Sequence, residues 1–405
     1  MIINYKFKRR NTIDSNEIRA VNKVLKKGIL SDFIATSGKG FDGGKNVKIF
    51  EENLKKFYKV KHAITVNSWT SGLICAVGSL DIEPGDEIIT TPWTMCATAT
   101  AILHWNAIPT FADINPKTFC IDPESVKKKI TKKTKAIIAV DIFGLSHDIN
   151  ALKKIVKGRN IKIISDSAQS PYSFYKNKLA GTQSDIGGYS YNFHKHMQTG
   201  EGGCIVTNNK VLAERIKKLR NHAEATVKIS DKINNLIGFN FRLGEIEAAI
   251  GIEQLKKLKF LVREKQKEAN YLTSRLKNLN GLTVPFVPKN YSHSYYVYPI
   301  LINEKKIGTS KKIILKKLRD QGVQGIYGKY GDIHLLPMYK KKIAYGKKNF
   351  PWSISKNKIK YDKGMCPTSE KLNKESFLFI ELCDFDLTKK DLELICKSFH
   401  KVWKD

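Results

Sequence analysis

Short apolar segments alternate with helical patterns through the first half of the chain, and this alternation constrains the fold more than any other feature. Runs typical of buried strands include residues 63–66, 108–114, 134–141 and 161–166, and a helical pattern at 149–156 separates the last two. Strands that alternate with helices in this way form a mostly parallel sheet whose two faces are covered by helices. We therefore predict an α/β fold.

The pattern changes near residue 255, where long amphipathic helices and isolated strands such as 295–302 replace the alternation. A chain of 405 residues also exceeds one average domain. We predict a large α/β/α domain with a mostly parallel sheet over residues 1–255 and a smaller C-terminal α+β domain over residues 256–405. Residues 351–363 read as an additional surface loop.

The formal charge of +33 raises the question of a nucleic-acid partner, because basic surfaces release counterions from phosphates. Only ten of the 71 basic residues are arginine, the side chain that forks onto bases and phosphates, and the lysines are spread along helical faces. We interpret the charge as solvated helix surface and expect no nucleic-acid partner. A basic regulatory or nucleic-acid-binding protein is the alternative from another functional class.

Targeting and redox signals point to the cytoplasm. The sequence has no apolar run near the roughly 20 residues that a membrane helix needs, and its first ten residues lack the apolar core of a secretory leader. Its seven cysteines are scattered and odd in number, which argues against a disulfide framework or a metal site. We expect a cytoplasmic protein without membrane or metal.

One lysine, Lys195, has surroundings suited to a nucleophile. It stands in the stretch Ser190-Tyr-Asn-Phe-His-Lys-His-Met-Gln-Thr-Gly-Glu-Gly-Gly203, which reads as a loop between two short strands. A lysine attacks carbonyls only when burial or a neighbouring cation destabilises its ammonium. Apolar strands on both sides and the flanking His194 and His196 offer such surroundings, and the glycines let the backbone approach a ligand closely.

The spacing Ser-x4-Lys-x4-Gly-Glu-Gly-Gly resembles the Schiff-base loop of the DegT/DnrJ/StrS family, the pyridoxal-phosphate-dependent sugar aminotransferases. Ser190, Lys195 and Glu201 match with three glycines, whereas Asn192 stands where many members have histidine. The resemblance runs from about residue 43 to the C-terminus. It implies a type I pyridoxal-phosphate aminotransferase fold, with Lys195 carrying the cofactor and Ser190 contacting it.

A phosphate site is expected at residues 67–71, Asn-Ser-Trp-Thr-Ser, where a strand ends and a helix opens. Free N–H groups and the helix dipole point at an anion there, although an ordinary helix cap explains the same residues equally well. The resemblance places the cofactor phosphate on Thr70 and Ser71. Trp69 replaces the usual small residue, so its ring must point away from the phosphate or line the substrate pocket.

Asp166 ends the strand at 161–166, on the sheet edge where α/β folds bind ligands. The motif Asp-x-Ala-Gln matches the family, which implies that Asp166 keeps the cofactor ring nitrogen protonated and that Gln169 lies beside the ring hydroxyl. The residue stacked on the ring is Met95 by register or, alternatively, Trp93. Asn240, in Gly-x-Asn-aromatic-Arg-x-x-Glu, matches the residue that reaches the phosphate of a neighbouring subunit.

The function implied is transfer of an amino group from an amino acid, glutamate for example, to a keto group of a nucleotide-activated sugar in surface polysaccharide or related glycan biosynthesis. Lys195 and Asp166 would be catalytic, Lys329, Tyr330 and His334 would belong to the substrate loop, and the unit would be a homodimer with shared active sites. Two alternatives stay open within this chemistry. One is an acceptor that is a cyclitol or small phosphorylated ketone, and the other is a pyridoxal-phosphate-dependent sugar dehydratase, a class in which histidine replaces the lysine.

Overall fold

The structure is a computed structural model that describes residues 5–224, 237–355, 357 and 359–404. Its helices are α1 (Ser15–Lys27), α2 (Lys45–Tyr58), α3 (Trp69–Gly78), α4 (Ala97–His104), α5 (Pro123–Lys129), α6 (Ile149–Val156), α7 (Lys210–Arg220), α8 (Glu245–Leu276), α9 (Glu304–Ile307), α10 (Lys311–Asp320), α11 (Pro337–Lys340), α12 (Pro367–Lys371) and α13 (Lys389–Val402). Its strands are β1 (His62–Val66), β2 (Glu87–Thr90), β3 (Ile108–Phe111), β4 (Thr134–Val140), β5 (Lys162–Asp166), β6 (Phe174–Tyr175), β7 (Lys178–Leu179), β8 (Ile186–Ser190), β9 (Gly203–Thr207), β10 (Leu282–Thr283), β11 (Val297–Ile302), β12 (Ile326–Tyr327) and β13 (Phe377–Glu381). No helix in the described part of the chain combines the length and apolar character needed to span a bilayer.

Seven strands form the large sheet in the order β1-β9-β8-β5-β4-β2-β3. The ladders joining β3, β2, β4, β5 and β8 are parallel, and β9 runs antiparallel between β8 and β1. The predicted mostly parallel sheet is therefore confirmed, with β9 as the strand that reverses direction. Because parallel strands end at one edge, the carboxyl ends of β4, β5 and β8 meet there.

Both faces of this sheet are buried, as β4 illustrates. Ile138 packs in a core with α3, α4 and α7, whereas the adjacent Ile137 packs on the opposite face with α5 and α6. A third core holds α2 and the first part of α8 against β1, β8 and β9. Strands covered on both sides explain the nearly continuous apolar runs in the sequence.

A second, antiparallel sheet, in the order β10-β11-β13-β12, packs with α10, α13 and the end of α8 in a separate core. The predicted boundary between residues 255 and 256 falls inside α8. Leu255 packs in the core of the large sheet, and Leu272 packs in the core of the small one. Phe7, from the start of the chain, also lies in the small core. The division into 1–255 and 256–405 stays a prediction.

The expectation of a surface loop at 351–363 is wrong for two of its aromatic residues. Trp352 and Tyr361 are both buried. The Trp352 indole N–H donates to the Tyr361 hydroxyl at 2.8 Å, and that hydroxyl donates to the Pro109 carbonyl at 2.7 Å. This segment therefore anchors on β3, a long-range contact that local composition does not reveal.

Candidate active site

Lys195 lies in the loop between β8 and β9. The two strands pair with Ser190 opposite Gly203, and beyond this pair the Tyr191 N–H donates to the Gly202 carbonyl at 2.9 Å. The loop is thus closed at its base. The Lys195 side chain is only 9% exposed, and its Nζ lies 4.3 Å from the centre of the Tyr296 ring. Burial lowers the pKa of Lys195 to about 8, against an opposing effect of Asp166, so the neutral amine is accessible near neutral pH.

Contacts from distant parts of the chain hold this loop. Arg10 donates through Nη2 to the His196 carbonyl at 2.9 Å and through Nη1 to the Lys195 carbonyl at 3.5 Å. The buried His196 ring bonds the Ser294 carbonyl through Nε2 at 2.8 Å. Burial, with Lys195 alongside, lowers the pKa of the half-buried His194 to about 4, so its imidazole is neutral near pH 7. The loop is therefore positioned by the N-terminal segment and by the residues before β11.

Asp166 ends β5 and is buried. Its Oδ1 accepts from the Trp69 indole N–H at 2.7 Å and from the Ala168 N–H at 3.3 Å, and its Oδ2 accepts from the Thr98 hydroxyl at 2.8 Å. Burial raises the pKa of Asp166, while the bonds from Thr98 and Trp69 act in the opposite direction. The carboxyl group is consequently fixed in orientation.

The start of α3 presents hydroxyl and backbone donors to the same space. Ser68 caps the helix by accepting from the Ser71 N–H at 3.1 Å, and its hydroxyl lies 2.9 Å from the Ser71 hydroxyl. Thr70 is exposed. A Cβ on Gly203 would lie 2.7 Å from the Trp69 nitrogen, so the start of β9 approaches this helix terminus as only glycine allows. The arrangement suits an anion.

A cavity of about 190 Å³ joins these groups. The predicted site residues that line it are Thr70, Met95, Asp166, Gln169, Ser190 and Lys195. Ser71 is buried, and it follows the lining residue Thr70 in the chain without itself lining the cavity. Gln169 is fixed at both ends of its amide: Oε1 accepts from the Phe143 N–H at 2.7 Å, and Nε2 donates to the Tyr330 hydroxyl at 2.9 Å.

The structure separates the two candidates for the stacking residue. Met95 is 63% exposed and lines the cavity. Trp93 is completely buried, with its ring centre 4.9 Å from that of Phe377 and 5.8 Å from that of Phe119. Trp93 therefore belongs to an aromatic core beside the site, and Met95 is the one in position to meet a ligand.

The remaining predicted residues lie outside the cavity wall formed by the described residues. Tyr330 reaches the site through its bond to Gln169. His334 is fully buried and bonds Glu370 at 3.1 Å, and Lys329 is exposed in a different surface cavity. Asn240 is exposed, next to Phe241, whose carbonyl accepts from the Asn67 N–H at 3.0 Å.

Among the residues at the site that were not predicted from the sequence, three make contacts with the predicted catalytic groups or their loop. Thr98 binds Asp166, Tyr296 lies against Lys195, and Arg10 holds the lysine loop. Thr98 and Tyr296 stand in segments read only as a helix and a strand, and their contacts depend on long-range folding. Arg10 carries a weak signal, because arginine is rare in a chain whose cations are mostly lysine.

The donor set fits pyridoxal 5'-phosphate, which combines an aldehyde, a basic ring nitrogen and a phosphate. Lys195 supplies an amine, Asp166 a buried carboxylate, and the start of α3 hydroxyl and N–H donors. These three groups line one cavity at the carboxyl edge of the sheet, where the sequence analysis placed Asp166.

Comparison with known proteins gives a consistent result. A model of the DegT/DnrJ/EryC1/StrS aminotransferase family matches residues 12–377. The UDP-4-amino-4,6-dideoxy-N-acetyl-beta-L-altrosamine transaminase of Helicobacter pylori is 35% identical over 323 residues, covering 79% of this chain and 83% of that protein. The spore coat polysaccharide biosynthesis protein SpsC of Bacillus subtilis is 30% identical over 347 residues, covering 84% and 86%. Among solved structures, Helicobacter pylori PseC, an aminotransferase involved in the biosynthesis of pseudoaminic acid, superimposes with a TM-score of 0.81 at 28% identity over 99% of both chains.

Proposed function

Because the chain belongs to the DegT/DnrJ/EryC1/StrS aminotransferase family and is a pyridoxal-phosphate-dependent aminotransferase, we propose that it aminates a keto group of a nucleotide-activated sugar. The donor would be an amino acid, glutamate in the first instance, and the product a precursor of surface polysaccharide or a related glycan. The observation that carries the proposal is the buried Lys195 in one cavity with Asp166, in a chain whose relatives include a transaminase named for a UDP-linked amino sugar.

The roles of the residues follow from their positions. When bound, the cofactor supplies an aldehyde that takes up amines and a ring that withdraws electrons. Lys195 Nζ is the nucleophile for the aldehyde, since burial keeps part of it as free amine. With the cofactor bound, the same Nζ would serve as the base for the proton on the α-carbon of the amino donor. Asp166 would hold the proton on the ring nitrogen, and Thr70 and Ser71 would bind the phosphate.

Contacts around Lys195 restrict the orientation of its side-chain amine. The Tyr296 ring lies under Nζ, and the carbonyls of Lys195 and His196 are held by Arg10. These contacts orient Nζ toward the cavity instead of solvent. The neutral His194 on the cavity wall adds no positive charge that would compete for Asp166.

A homodimer with shared active sites is part of the proposal. Phe193 and Met95, beside the lysine and at the cavity wall, are 66% and 63% exposed, and exposed apolar side chains at a site favour contact with another chain. Asn240 is exposed as well. We assign it to the cofactor phosphate of the partner. A cytoplasmic location is compatible with seven cysteines that all carry free thiols.

The proposal is tested by borohydride reduction of the cofactor-loaded protein, followed by peptide mapping. The label is expected on Lys195. Lys265 is the internal comparator, because it is also buried but is paired with Glu268 at 2.9 Å. Label on Lys265 or on any other lysine would contradict the assignment.

The substrate class is tested by a screen of keto acceptors with nitrogen-labelled glutamate. Transfer of the label to UDP- or GDP-linked ketosugars supports the proposal. Transfer only to cyclitol ketones or small phosphorylated ketones would favour that alternative acceptor, and loss of a sugar hydroxyl without label transfer would favour the dehydratase.

A further inference from the structure

Trp69 lies in the cavity wall, as one of the two sequence expectations allowed, but neither expectation included a contact with Asp166. Its ring is 5% exposed, and its indole N–H donates to Asp166 Oδ1 at 2.7 Å. It does line the cavity, but its polar atom faces the aspartate that we assign to the cofactor ring nitrogen.

Two glycines make room for this indole. A Cβ on Gly188 would lie 1.9 Å from Trp69 Cζ3, and a Cβ on Gly72 would lie 2.6 Å from Cε3. Gly188 is also the residue of β8 paired with Asp166 on β5. The space for the Trp69 ring therefore depends on the absence of side chains at Gly188 in β8 and at Gly72 in α3, two buried positions where any larger residue would fill it.

The two side chains that donate to Asp166 are not equivalent. An indole N–H can only donate, so it favours a carboxylate and cannot accept from a protonated acid, whereas a hydroxyl can do either. The Thr98 hydroxyl lies 2.9 Å from the Thr94 hydroxyl, so it can accept from Thr94 while it donates to Oδ2. Trp69 is thus the side chain that, together with the Ala168 N–H, disfavours a proton on Oδ1.

The donors also leave one direction open. A carboxylate has about four acceptor positions. Among the described residues, Trp69 and Ala168 occupy both positions on Oδ1, and Thr98 occupies one on Oδ2. The free acceptor position is on Oδ2.

We propose that Trp69 is a positioning residue for Asp166: its indole N–H anchors Oδ1 and keeps the carboxylate ionised, which presents Oδ2 to the ring nitrogen of the cofactor. This inference rests on the proposed role of Asp166. It assigns to Trp69 an effect on charge and orientation in addition to packing.

The test uses pyridoxine 5'-phosphate, whose alcohol in place of the aldehyde lets it bind the apoprotein without reacting with Lys195. Affinity is measured by equilibrium dialysis as a function of pH in the wild type, Trp69→Phe and Trp105→Phe. The Trp105 indole, in the same core, donates to the Ile74 carbonyl at 2.7 Å, so the control also loses one buried indole bond. Activity of the cofactor-loaded enzyme against pH is the second readout.

Probe affinity and kcat are both expected to fall as the pH is lowered and Asp166 becomes protonated. In Trp69→Phe, the pH at which each is half lost should rise by about one unit, because a carboxylate with one donor fewer protonates more easily. Trp105→Phe should keep the wild-type midpoints. If Trp69→Phe does not fold, Trp69→3-benzothienylalanine, which replaces the N–H by sulfur at nearly the same shape, serves instead. Uniformly weaker binding with unchanged midpoints would overturn the inference and leave Trp69 a packing residue. Failure of the wild-type apoprotein to bind the probe would instead contradict the cofactor assignment.

Discussion

At the scale of single residues, the site depends on two buried ionisable groups, Lys195 and Asp166, that line the same cavity. Burial pushes the Lys195 amine toward its neutral form and the Asp166 carboxyl toward its acid form. Hydrogen bonds from Trp69 and Thr98 favour the carboxylate form of Asp166 and act against the effect of burial, whereas Nζ of Lys195 faces the Tyr296 ring. Burial therefore favours a reactive amine at Lys195, and the hydrogen bonds anchor the carboxyl group of Asp166.

Lys195→Met is expected to abolish turnover and to stabilise the apoprotein. The pKa of Lys195 lies at about 8 in the folded chain, below its ordinary 10.5, so protonated lysine destabilises the fold. The penalty is complete below pH 8, shrinks between pH 8 and 10.5, and is absent above. The variant should thus exceed the wild type in free energy of unfolding by up to about 3 kcal/mol at pH 7. Urea unfolding of both apoproteins from pH 7 to 10.5 measures this difference in free energy of unfolding. A difference that does not shrink as the pH rises would contradict the prediction.

Asp166→Asn should fold and bind cofactor but lose most of its activity, because an amide cannot hold the ring nitrogen protonated. We expect kcat to fall by more than tenfold at equal cofactor occupancy, which absorbance quantifies. A kcat within about threefold of the wild type, less than about 1 kcal/mol in barrier, would show that Asp166 does not hold the ring nitrogen.

At the scale of elements, the strands and helices of the large sheet follow closely from the sequence. The helical pattern at residues 149–156 is α6 (Ile149–Val156), and the apolar run at 161–166 is β5 with Asp166 at its end. Local sequence is sufficient for these two elements. Apolar residues at helical spacing predict the helix, and a short continuous apolar run is typical of a strand that is covered on both faces. It does not determine which side chains meet between elements. The Trp69 to Asp166 bond spans 97 positions, so the role of the tryptophan could not be predicted.

Gly188→Ala tests how β8 accommodates α3. The new methyl group would collide with the Trp69 ring and approach the Cys204 carbonyl to 2.6 Å, so we expect a loss of about 1–3 kcal/mol from overpacking. If the ring is the main obstacle, the Trp69→Ala and Gly188→Ala double variant should lose less stability than the two single changes together. Urea unfolding of the four apoproteins gives the coupling, and additive losses would argue against a shared space.

At the scale of the whole molecule, the assembly can be tested with mixed dimers. If Asn240 serves the partner's site, combining Lys195→Ala chains with Asn240→Ala chains gives heterodimers in which one site has both lesions and the other has neither. About half of the sites in those heterodimers should then be active. If Asn240 serves its own chain, every site contains one lesion. The measurement is activity after subunit exchange, with the exchange itself verified by mass spectrometry. Recovery of activity supports a shared site, and no recovery contradicts it.

The attachment of Arg9 and Arg10 to Asp384 and Phe385 has a consequence for synthesis on the ribosome. The Arg10 N–H donates to the Asp384 carbonyl, Arg9 forms a bridge with Phe385, and Arg10 then reaches the lysine loop. Translation makes Arg10 374 residues before Asp384. The large sheet can form while the chain emerges, because domains fold as units during synthesis. The contact of Arg10 with the Lys195 loop, however, needs Asp384 to have been translated, so a nascent chain with its large sheet complete would still lack the docked Arg10 that holds Lys195 in place.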